Sequence, residues 1–230
     1  MIQRVLVANR GEIACRILRA CREAGLSSVA IYAENDREGM FRELADQSVL
    51  LEGDTIAETY LNGAAIIQAA KDTGADSIHP GFGFLSERAE FAQAVMDAGL
   101  IWIGPSPQAI EQMGDKMSAR QIMKAAGVPV IPGVEIEEED ESLAMEAIRN
   151  AAKETGYPLL LKATAGGGGK GMRVVNVPEE LENGAQSARR EALAAFGDGR
   201  VYVEKLLMKS KHVEVQVLAD TQGRCIHLGE

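Results

Sequence analysis

Short β-rich runs alternate with segments of helical periodicity through the N-terminal half of the chain. The first run, Ile2 to Ala8, ends at Asn9-Arg10-Gly11 and is followed by apolar residues at helical spacing up to Gly25. Further β-rich runs lie at 28–32, 48–51, 76–79 and 100–103, with a helix predicted over 60–73. This alternation is typical of a parallel sheet with helices on both faces. The sequence therefore predicts an α/β domain here.

Length and charge limit the classes of partner. The chain has 230 residues, 46% of them hydrophobic, which is enough for two modest cores. Its formal net charge of −10 repels polyphosphates at long range, so any nucleotide must be held by a few local cations. Nucleic acid is not an expected partner.

Cysteine usage and the lack of long apolar runs indicate a compartment. Cys15, Cys21 and Cys225 form no CxxC pair and are odd in number, so we expect buried thiols in a reducing environment. The N-terminus enters a strand without a charged and apolar leader, and no run is long enough to span a membrane. We expect a cytoplasmic protein, or an organellar one lacking its transit peptide, with no membrane partner.

A second domain is predicted after a proline-containing connection. A helix over 115–126 stops at Gly127, and residues 128–132 read as an extended connection. The acidic run 137–141 precedes a periodic segment at 143–155 and suits the N-terminus of a helix.

A run of four glycines between two lysines is the strongest chemical signal. It lies between predicted strands at 159–162 and 172–177, and Lys170 is followed by glycine and a strand, unlike a Walker loop. Ordering four glycines costs roughly 2–4 kcal/mol relative to alanine, and close contact of backbone N–H groups with phosphate oxygens would offset that cost. We predict a hairpin that covers phosphates. The alternatives are a flexible hairpin tip and, for Lys162, a lysine extending from a strand end into solvent.

Two later segments present polar side chains. The strand 201–204 runs into Glu204-Lys205, where backbone groups could face an adenine edge, although a surface ion pair is the simpler interpretation. In the strand predicted over Lys211–Leu218, His212, Glu214 and Gln216 share one face, which would line a cleft or face solvent.

Two loops of the first domain follow strand ends. The turn at Asn9 to Gly11 lacks the G-x-G-x-x-G pattern, which disfavours a dinucleotide dehydrogenase. The loop His79 to Glu87 lies where ligands of open parallel sheets bind, although it also suits a structural turn with packed aromatic side chains.

Taken together, the chain resembles biotin carboxylase, a member of the ATP-grasp superfamily. The blocks that carry the resemblance, in order, are ANRGEIACRI, LADQSVLL with ETYLN, IHPGFGFLSER, WIGPSP, GDKMSAR, LLLKATAGGGGKGMRVV, YVEKLL and KHVEVQVLAD. The resemblance implies an α/β fold: a Rossmann-like pre-ATP-grasp domain at 1–114, a linker at 115–133, a lid with the glycine hairpin at 134–206, and the truncated start of the ATP-grasp core at 207–230.

The resemblance also implies a set of nucleotide contacts. Lys116 and Lys162 would contact ATP, and Gly168 and Gly169 would cover its phosphates. The adenine would be held by Glu204, Lys205, Leu206 and Leu207. His212 matches a family residue at the nucleotide, and Phe82 stands where the family often has tyrosine near the biotin approach.

The implied reaction is ATP- and bicarbonate-dependent carboxylation of biotin through carboxyphosphate. It would be the first half-reaction of acetyl-CoA carboxylase, in fatty acid biosynthesis, or of a related acyl-CoA or pyruvate carboxylase. The implied partners are a biotin carboxyl carrier protein or domain and a second copy in a homodimer.

The family's Mg²⁺ ligands and catalytic residues are expected beyond Glu230, so we expect this piece to be inactive alone. The alternatives are a nucleotide-binding module without turnover and another ATP-grasp ligase that joins a carboxylate to an amine.

Overall fold

A computed structural model describes residues 2–114, 116–138, 140–164 and 172–230, excluding the side chains at 116, 117, 195 and 196. The chain divides into two compact units, Met1–Ile122 and Met123–Glu230. The finer four-part division expected from the sequence is not tested by these two units and stays a prediction.

The first unit is built on a parallel five-stranded sheet. Its strands are β1 (Arg4–Val7), β2 (Ser27–Tyr32), β3 (Gln47–Leu50), β4 (Ser77–His79) and β5 (Ile101–Trp102). They lie in the order β3-β2-β1-β4-β5, and every neighbouring pair is parallel. The predicted alternation is confirmed, and the strand order reverses between β1 and β4.

Helices cover both faces of this sheet. The helices are α1 (Gly11–Glu23), α2 (Met40–Leu44), α3 (Gly63–Asp72), α4 (Ala89–Asp97) and α5 (Pro107–Gly114), with 3₁₀ turns at Glu34–Asp36 and Phe84–Glu87. The next helix, α6 (Lys116–Ala125), contains the division between the two units. Successive strand residues point to opposite faces, so Leu6 joins a core with α3 and α4, whereas Val5 and Val7 join a core with α1 and α2. Burial on both faces explains why the central strands β1 and β2 read as largely apolar runs.

The second unit is a four-stranded antiparallel sheet with helices on one face. Its strands are β6 (Gly133–Ile136), β7 (Leu159–Ala163), β8 (Arg173–Val175) and β9 (Val201–Lys205), in the order β6-β9-β7-β8. Its helices are α7 (Glu141–Thr155) and α8 (Leu181–Phe196), the latter preceded by a 3₁₀ turn at Pro178–Glu180. The predicted pairing of the strands that flank the glycine run is confirmed as β7 with β8, while the glycines themselves lie outside the described residues.

The acidic run fulfils its predicted role at a helix start. The carboxylate of Asp140 accepts the N–H groups of Ser142 and Leu143, both at 3.0 Å, and caps α7.

The last segment forms a small hairpin and corrects two predictions. Its strands are β10 (Val217–Ala219) and β11 (Cys225–His227), so the strand predicted over Lys211–Leu218 begins only at Val217. Alternation alone does not make a strand, because residues 211–215 have no neighbouring strand in the described part of the chain. Cys15 and Cys21 are buried as predicted, but Cys225 is exposed because the described residues leave both faces of the hairpin uncovered. Within the described residues, no helix is long and apolar enough to cross a membrane.

Candidate functional site

The sheet of the second unit has one apolar face and one face with ionisable groups. Leu159, Leu161, Val201 and Val203 join the core formed with α7 and α8. The residues between them point the other way. We call the side that carries Leu160, Lys162, Tyr202 and Glu204 the polar face.

An ion pair between neighbouring strands lies on the polar face. Lys162 Nζ donates to Glu204 Oε1 at 2.6 Å, with side-chain exposures of 33% and 13%. Leu160 lies opposite Glu204 and Lys162 lies opposite Tyr202, so the pair is diagonal across β7 and β9. Two residues that the sequence proposed separately as nucleotide contacts are thus brought together.

Lys205 is directed away from this pair. Its ammonium donates to the carbonyl of Tyr157 at 2.8 Å, and its strand position places it on the opposite face from Glu204. The charged groups of Glu204 and Lys205 therefore do not flank one ligand. Only the backbone of Lys205 is available for a role on the polar face.

The backbone at the end of β9 is hydrogen-bonded to the chain on both sides, and the residue that follows has an unpaired amide. The Lys205 amide donates to the carbonyl of Pro132 at 2.9 Å, and the Leu206 amide donates to that of Pro158 at 3.1 Å. Leu207 is half exposed, and its amide has no hydrogen-bond partner among the described residues. A flat heterocycle with hydrogen-bonding edges would find a fixed, unpaired N–H here.

Gly133 is a supporting residue that sequence reasoning missed. It lies opposite Glu204 on β6, and a Cβ built there would approach the Tyr202 hydroxyl and stand 2.6 Å from the carbonyl oxygen of Val203. Only glycine fits without a shift of β6 or β9. The signal that could have identified it is a glycine at the start of a strand, directly after Pro132. A glycine in a strand often marks a place where another backbone approaches closely.

Of the other proposed nucleotide contacts, His212 is described, and it makes no hydrogen bond or ion pair to Lys162 or Glu204. His212 is 83% exposed, and its Nε2 lies 2.9 Å from Glu214 Oε1, on a segment without strand pairing. The side chain of Lys116 and the whole of Gly168 and Gly169 lie outside what the structure describes. These assignments stay predictions.

In the first unit, the loops after β1 and β4 meet at the point where the strand order reverses. Asn9 Nδ2 donates to the carbonyls of Pro80 at 2.7 Å and Phe82 at 2.8 Å, while its Oδ1 accepts the Arg10 amide at 2.9 Å. Phe82 is 65% exposed on this loop. The crevice lies where ligands of such sheets bind.

A buried tyrosine organises a neighbouring network that the sequence did not indicate. The Tyr60 hydroxyl accepts the Ala33 amide at 3.0 Å and donates to Asp36 Oδ2 at 2.6 Å, which also accepts from Arg10 Nε at 2.6 Å. The hydrogen bonds from Arg10 and Tyr60 lower the pKa of Asp36. Burial, followed by the hydrogen bond to Asp36, raises the pKa of Tyr60.

His79 supports the same loop as a neutral imidazole. Its Nδ1 accepts the Gly81 amide at 3.0 Å, which requires that nitrogen to be unprotonated. Burial lowers the pKa of His79, and the charge of Arg16 lowers it further.

In the described part of the chain, no three His, Cys, Asp or Glu side chains cluster closely enough to hold a metal ion. The described residues therefore offer no cluster of ligands for the Mg²⁺ that the sequence resemblance implies.

Comparison with known proteins decides the family. Two family models match: one described as "Biotin carboxylase, N-terminal domain" over residues 1–110, and one described as "Carbamoyl-phosphate synthase L chain, ATP binding domain" over 115–230. Biotin carboxylase from Pseudomonas aeruginosa is 50% identical over 233 residues, covering 100% of this chain and 51% of that protein. The chain belongs to the biotin carboxylase family. Biotin carboxylase 1 from Bacillus subtilis is 48% identical, with 100% of this chain and 50% of that protein covered.

Solved structures of the family confirm the predicted fold class. Biotin carboxylase from Campylobacter jejuni, crystallised as a β-γ-ATP complex, superposes with a TM-score of 0.85 at 45% identity, covering 99% of this chain and 50% of that one. The biotin carboxylase domain of 2-oxoglutarate carboxylase from Hydrogenobacter thermophilus, in complex with MgADP, ADP and bicarbonate, gives 0.83 at 46% identity, covering 100% and 49%. The chain thus spans about half the length of the biotin carboxylases it matches.

The family also includes larger enzymes. Mouse mitochondrial pyruvate carboxylase is 49% identical over 230 residues, which is 100% of this chain and 19% of that protein. The similarity therefore does not distinguish among carboxylases of this family.

Proposed function

We propose that this chain is the nucleotide-binding portion of a biotin carboxylase, which carboxylates biotin with ATP and bicarbonate. The observation that carries the proposal is the polar face, where a lysine is fixed beside a strand end that offers an unpaired amide. The adenine edge would bond the backbone at 204–207. Lys162 would neutralise phosphate charge.

Strand register supports one orientation for the nucleotide. Leu159 lies opposite Lys205, whereas Ala163 lies opposite Val201 and leads toward the glycine run. At about 3.3 Å per residue, these two ends of β7 are about 13 Å apart. A nucleotide with its base at the first end would direct its phosphates past Lys162 toward the glycines, which we propose cover them, with Lys116 and His212 as further contacts.

The proposed chemistry depends on positioning and charge neutralisation. Bicarbonate oxygen attacks the γ-phosphorus of ATP, ADP leaves, and the resulting carboxyphosphate breaks down to CO₂ and phosphate beside deprotonated biotin, whose ureido nitrogen takes the carboxyl group. Transfers of this kind proceed through alignment and stabilisation of spread charge. The contribution of this chain is to hold the triphosphate.

This reaction is the half-reaction shared by biotin-dependent carboxylases. We propose a biotin carboxyl carrier protein or domain as the partner that delivers biotin, a homodimeric parent, and a cytoplasmic location. The second substrate is left open, because the relatives include methylcrotonoyl-CoA and pyruvate carboxylases as well as biotin carboxylase subunits.

A binding measurement with a matched control tests the nucleotide site. Calorimetry of the full chain should detect ATP, and Lys162→Met should weaken its affinity at least about tenfold, because a charge-assisted contact to phosphate is lost. Lys153→Met, which removes an exposed lysine of α7, should leave the affinity unchanged. Absence of ATP binding, or equal loss in both variants, would refute the site.

Turnover separates the rival functions. We propose that this chain alone releases no phosphate from ATP in response to bicarbonate, because the remaining catalytic groups are expected outside it. Biotin-dependent ATP hydrolysis by the isolated chain would contradict that proposal. In the parent enzyme, hydrolysis that responds to an amine and ignores biotin would favour a carboxylate–amine ligase.

A further inference from the structure

The ion pair on the polar face places the carboxylate of Glu204 in a site that we propose binds an anionic nucleotide. A negative charge there needs a role. We propose that Glu204 is a positioning residue for Lys162: its side chain fixes where the ammonium stands before a phosphate arrives. The inference rests on the proposed function, since the phosphate belongs to the proposed nucleotide. It concerns the Glu204 side chain, whereas the adenine contact proposed above uses backbone.

Glu204 is the better anchored partner. It lies on β9, which pairs with β6 on one side and β7 on the other, opposite both Gly133 and Leu160. Its side chain is 13% exposed, against 33% for Lys162. A lysine has a long, flexible stem and loses much rotamer freedom when it is ordered. The carboxylate therefore holds the ammonium rather than the reverse.

The ammonium keeps bonding capacity after this contact. It has three N–H donors, and Glu204 accepts one of them at 2.6 Å. No second acceptor for Lys162 occurs among the described residues. The remaining donors can bind phosphate oxygens without breaking the ion pair, so binding need not reorganise the lysine.

The position of the carboxylate also gives the site a direction. Glu204 lies level with Leu160, two residues from Lys162 and toward the strand end assigned to the base. Its negative charge repels phosphate from that side and leaves the side toward Ala163 open. The pair therefore favours a nucleotide whose base lies at Glu204 and whose phosphates lie beyond Lys162.

The strand β6 offers a matched control carboxylate. Glu135 lies opposite Tyr202 and therefore on the polar face, but it is only partly buried and makes no hydrogen bond or ion pair to Lys162. Glu135→Gln removes the same charge from the same face without disturbing the lysine. It separates positioning from a general change in electrostatic potential.

The test compares ADP with adenosine, because only ADP has phosphate groups that Lys162 can bind. Affinities of the full chain for both ligands are measured by calorimetry in wild type, Glu204→Gln, Lys162→Met, the double variant and Glu135→Gln. Glu204→Gln should weaken ADP about threefold to tenfold and leave adenosine unchanged. Glu135→Gln should change neither affinity, because Glu135 does not contact the lysine and solvent screens its charge over the distance of two strands.

Non-additivity is the decisive result. If Glu204 acts through the lysine, the double variant should bind ADP no more weakly than Lys162→Met alone. The inference is overturned if Glu204→Gln tightens ADP, weakens adenosine equally, or adds its full effect to that of Lys162→Met. If wild type binds neither ligand, the proposed function fails and takes this inference with it. If wild type prefers ADP and Glu204→Gln does not alter that preference, only the inference fails.

Discussion

At the scale of single residues, Tyr60 is the side chain on which most of a polar network depends. It is 3% exposed, and its hydroxyl joins the backbone of Ala33 to the carboxylate of Asp36. Without that hydroxyl, a partly buried N–H loses its acceptor and the carboxylate loses a donor. Unpaired groups of this kind are costly in a folded protein.

We expect Tyr60→Phe to lower the free energy of unfolding of the first unit by about 1–3 kcal/mol. Trp102, the single tryptophan of the chain, lies in this unit and reports its urea unfolding by fluorescence. Tyr32→Phe is the control, since the Tyr32 hydroxyl has no hydrogen-bond partner in the described part of the chain. Equal midpoints for the two variants would show that the network does not stabilise the unit.

At this scale the sequence predicted some of the important residues but not the contacts between them. Lys162 and Glu204 were each recognisable from their surroundings, a glycine run and a strand exit. Their contact was not, because it depends on the register between β7 and β9, which residues 42 apart in sequence do not reveal. The hydrogen bonds of Tyr60 were not predictable either, since the role of its hydroxyl arises only when distant loops meet.

At the scale of elements, a strand with a neighbour on each side leaves the least room for an added side chain. Gly133 on β6 lies against Tyr202 and Val203 of β9, the central strand that carries Glu204. A side chain at 133 would push β6 away from β9. The displacement would reach Glu204, which lies opposite Gly133 in the proposed site.

We expect Gly133→Ala to destabilise the second unit by about 1–3 kcal/mol through overpacking. Hydrogen exchange of peptides that cover β9 should show reduced protection. Gly199→Ala is the control, because a Cβ there would meet its nearest neighbour, the Arg189 carbonyl oxygen, at 3.6 Å, an ordinary contact. Unchanged protection of β9 in Gly133→Ala would contradict the packing argument.

The elements of the first unit were predictable because the inner strands β1, β2 and β4 are buried and read as largely apolar runs. The end of the chain was not. His212 to Val217 alternates polar and apolar residues, yet only Val217 lies in a strand. Alternation reports which side chains would share a face, whereas a strand also needs a partner for its backbone.

At the scale of the whole molecule, the hairpin of β10 and β11 exposes apolar side chains on both of its faces. Leu218 and Ile226 lie opposite each other and are 57% and 55% exposed, and Val217, on the other face, is 53% exposed. Two strands alone are marginally stable in water. Apolar surface of this kind promotes association.

We expect the chain to self-associate with rising concentration, and Leu218→Lys with Ile226→Glu to shift it toward the 24.6 kDa monomer in sedimentation experiments. The opposite charges keep a favourable cross-strand pair. Met96→Lys, on the exposed side of α4, is the control. Association that persists in the double variant would place the contact elsewhere.

The one-sided covering of the second sheet has a consequence for how this unit tolerates change. Along β7 and β9, positions that pack against helices alternate with positions on the polar face, where we propose that the nucleotide binds. Leu160 and Tyr202 on that face are themselves buried, which leaves Lys162 and Glu204 as the pair that can vary with the least effect on folding. A mutational library restricted to 162 and 204 would therefore change binding more than folding, and one restricted to 159, 161, 201 and 203 would do the reverse.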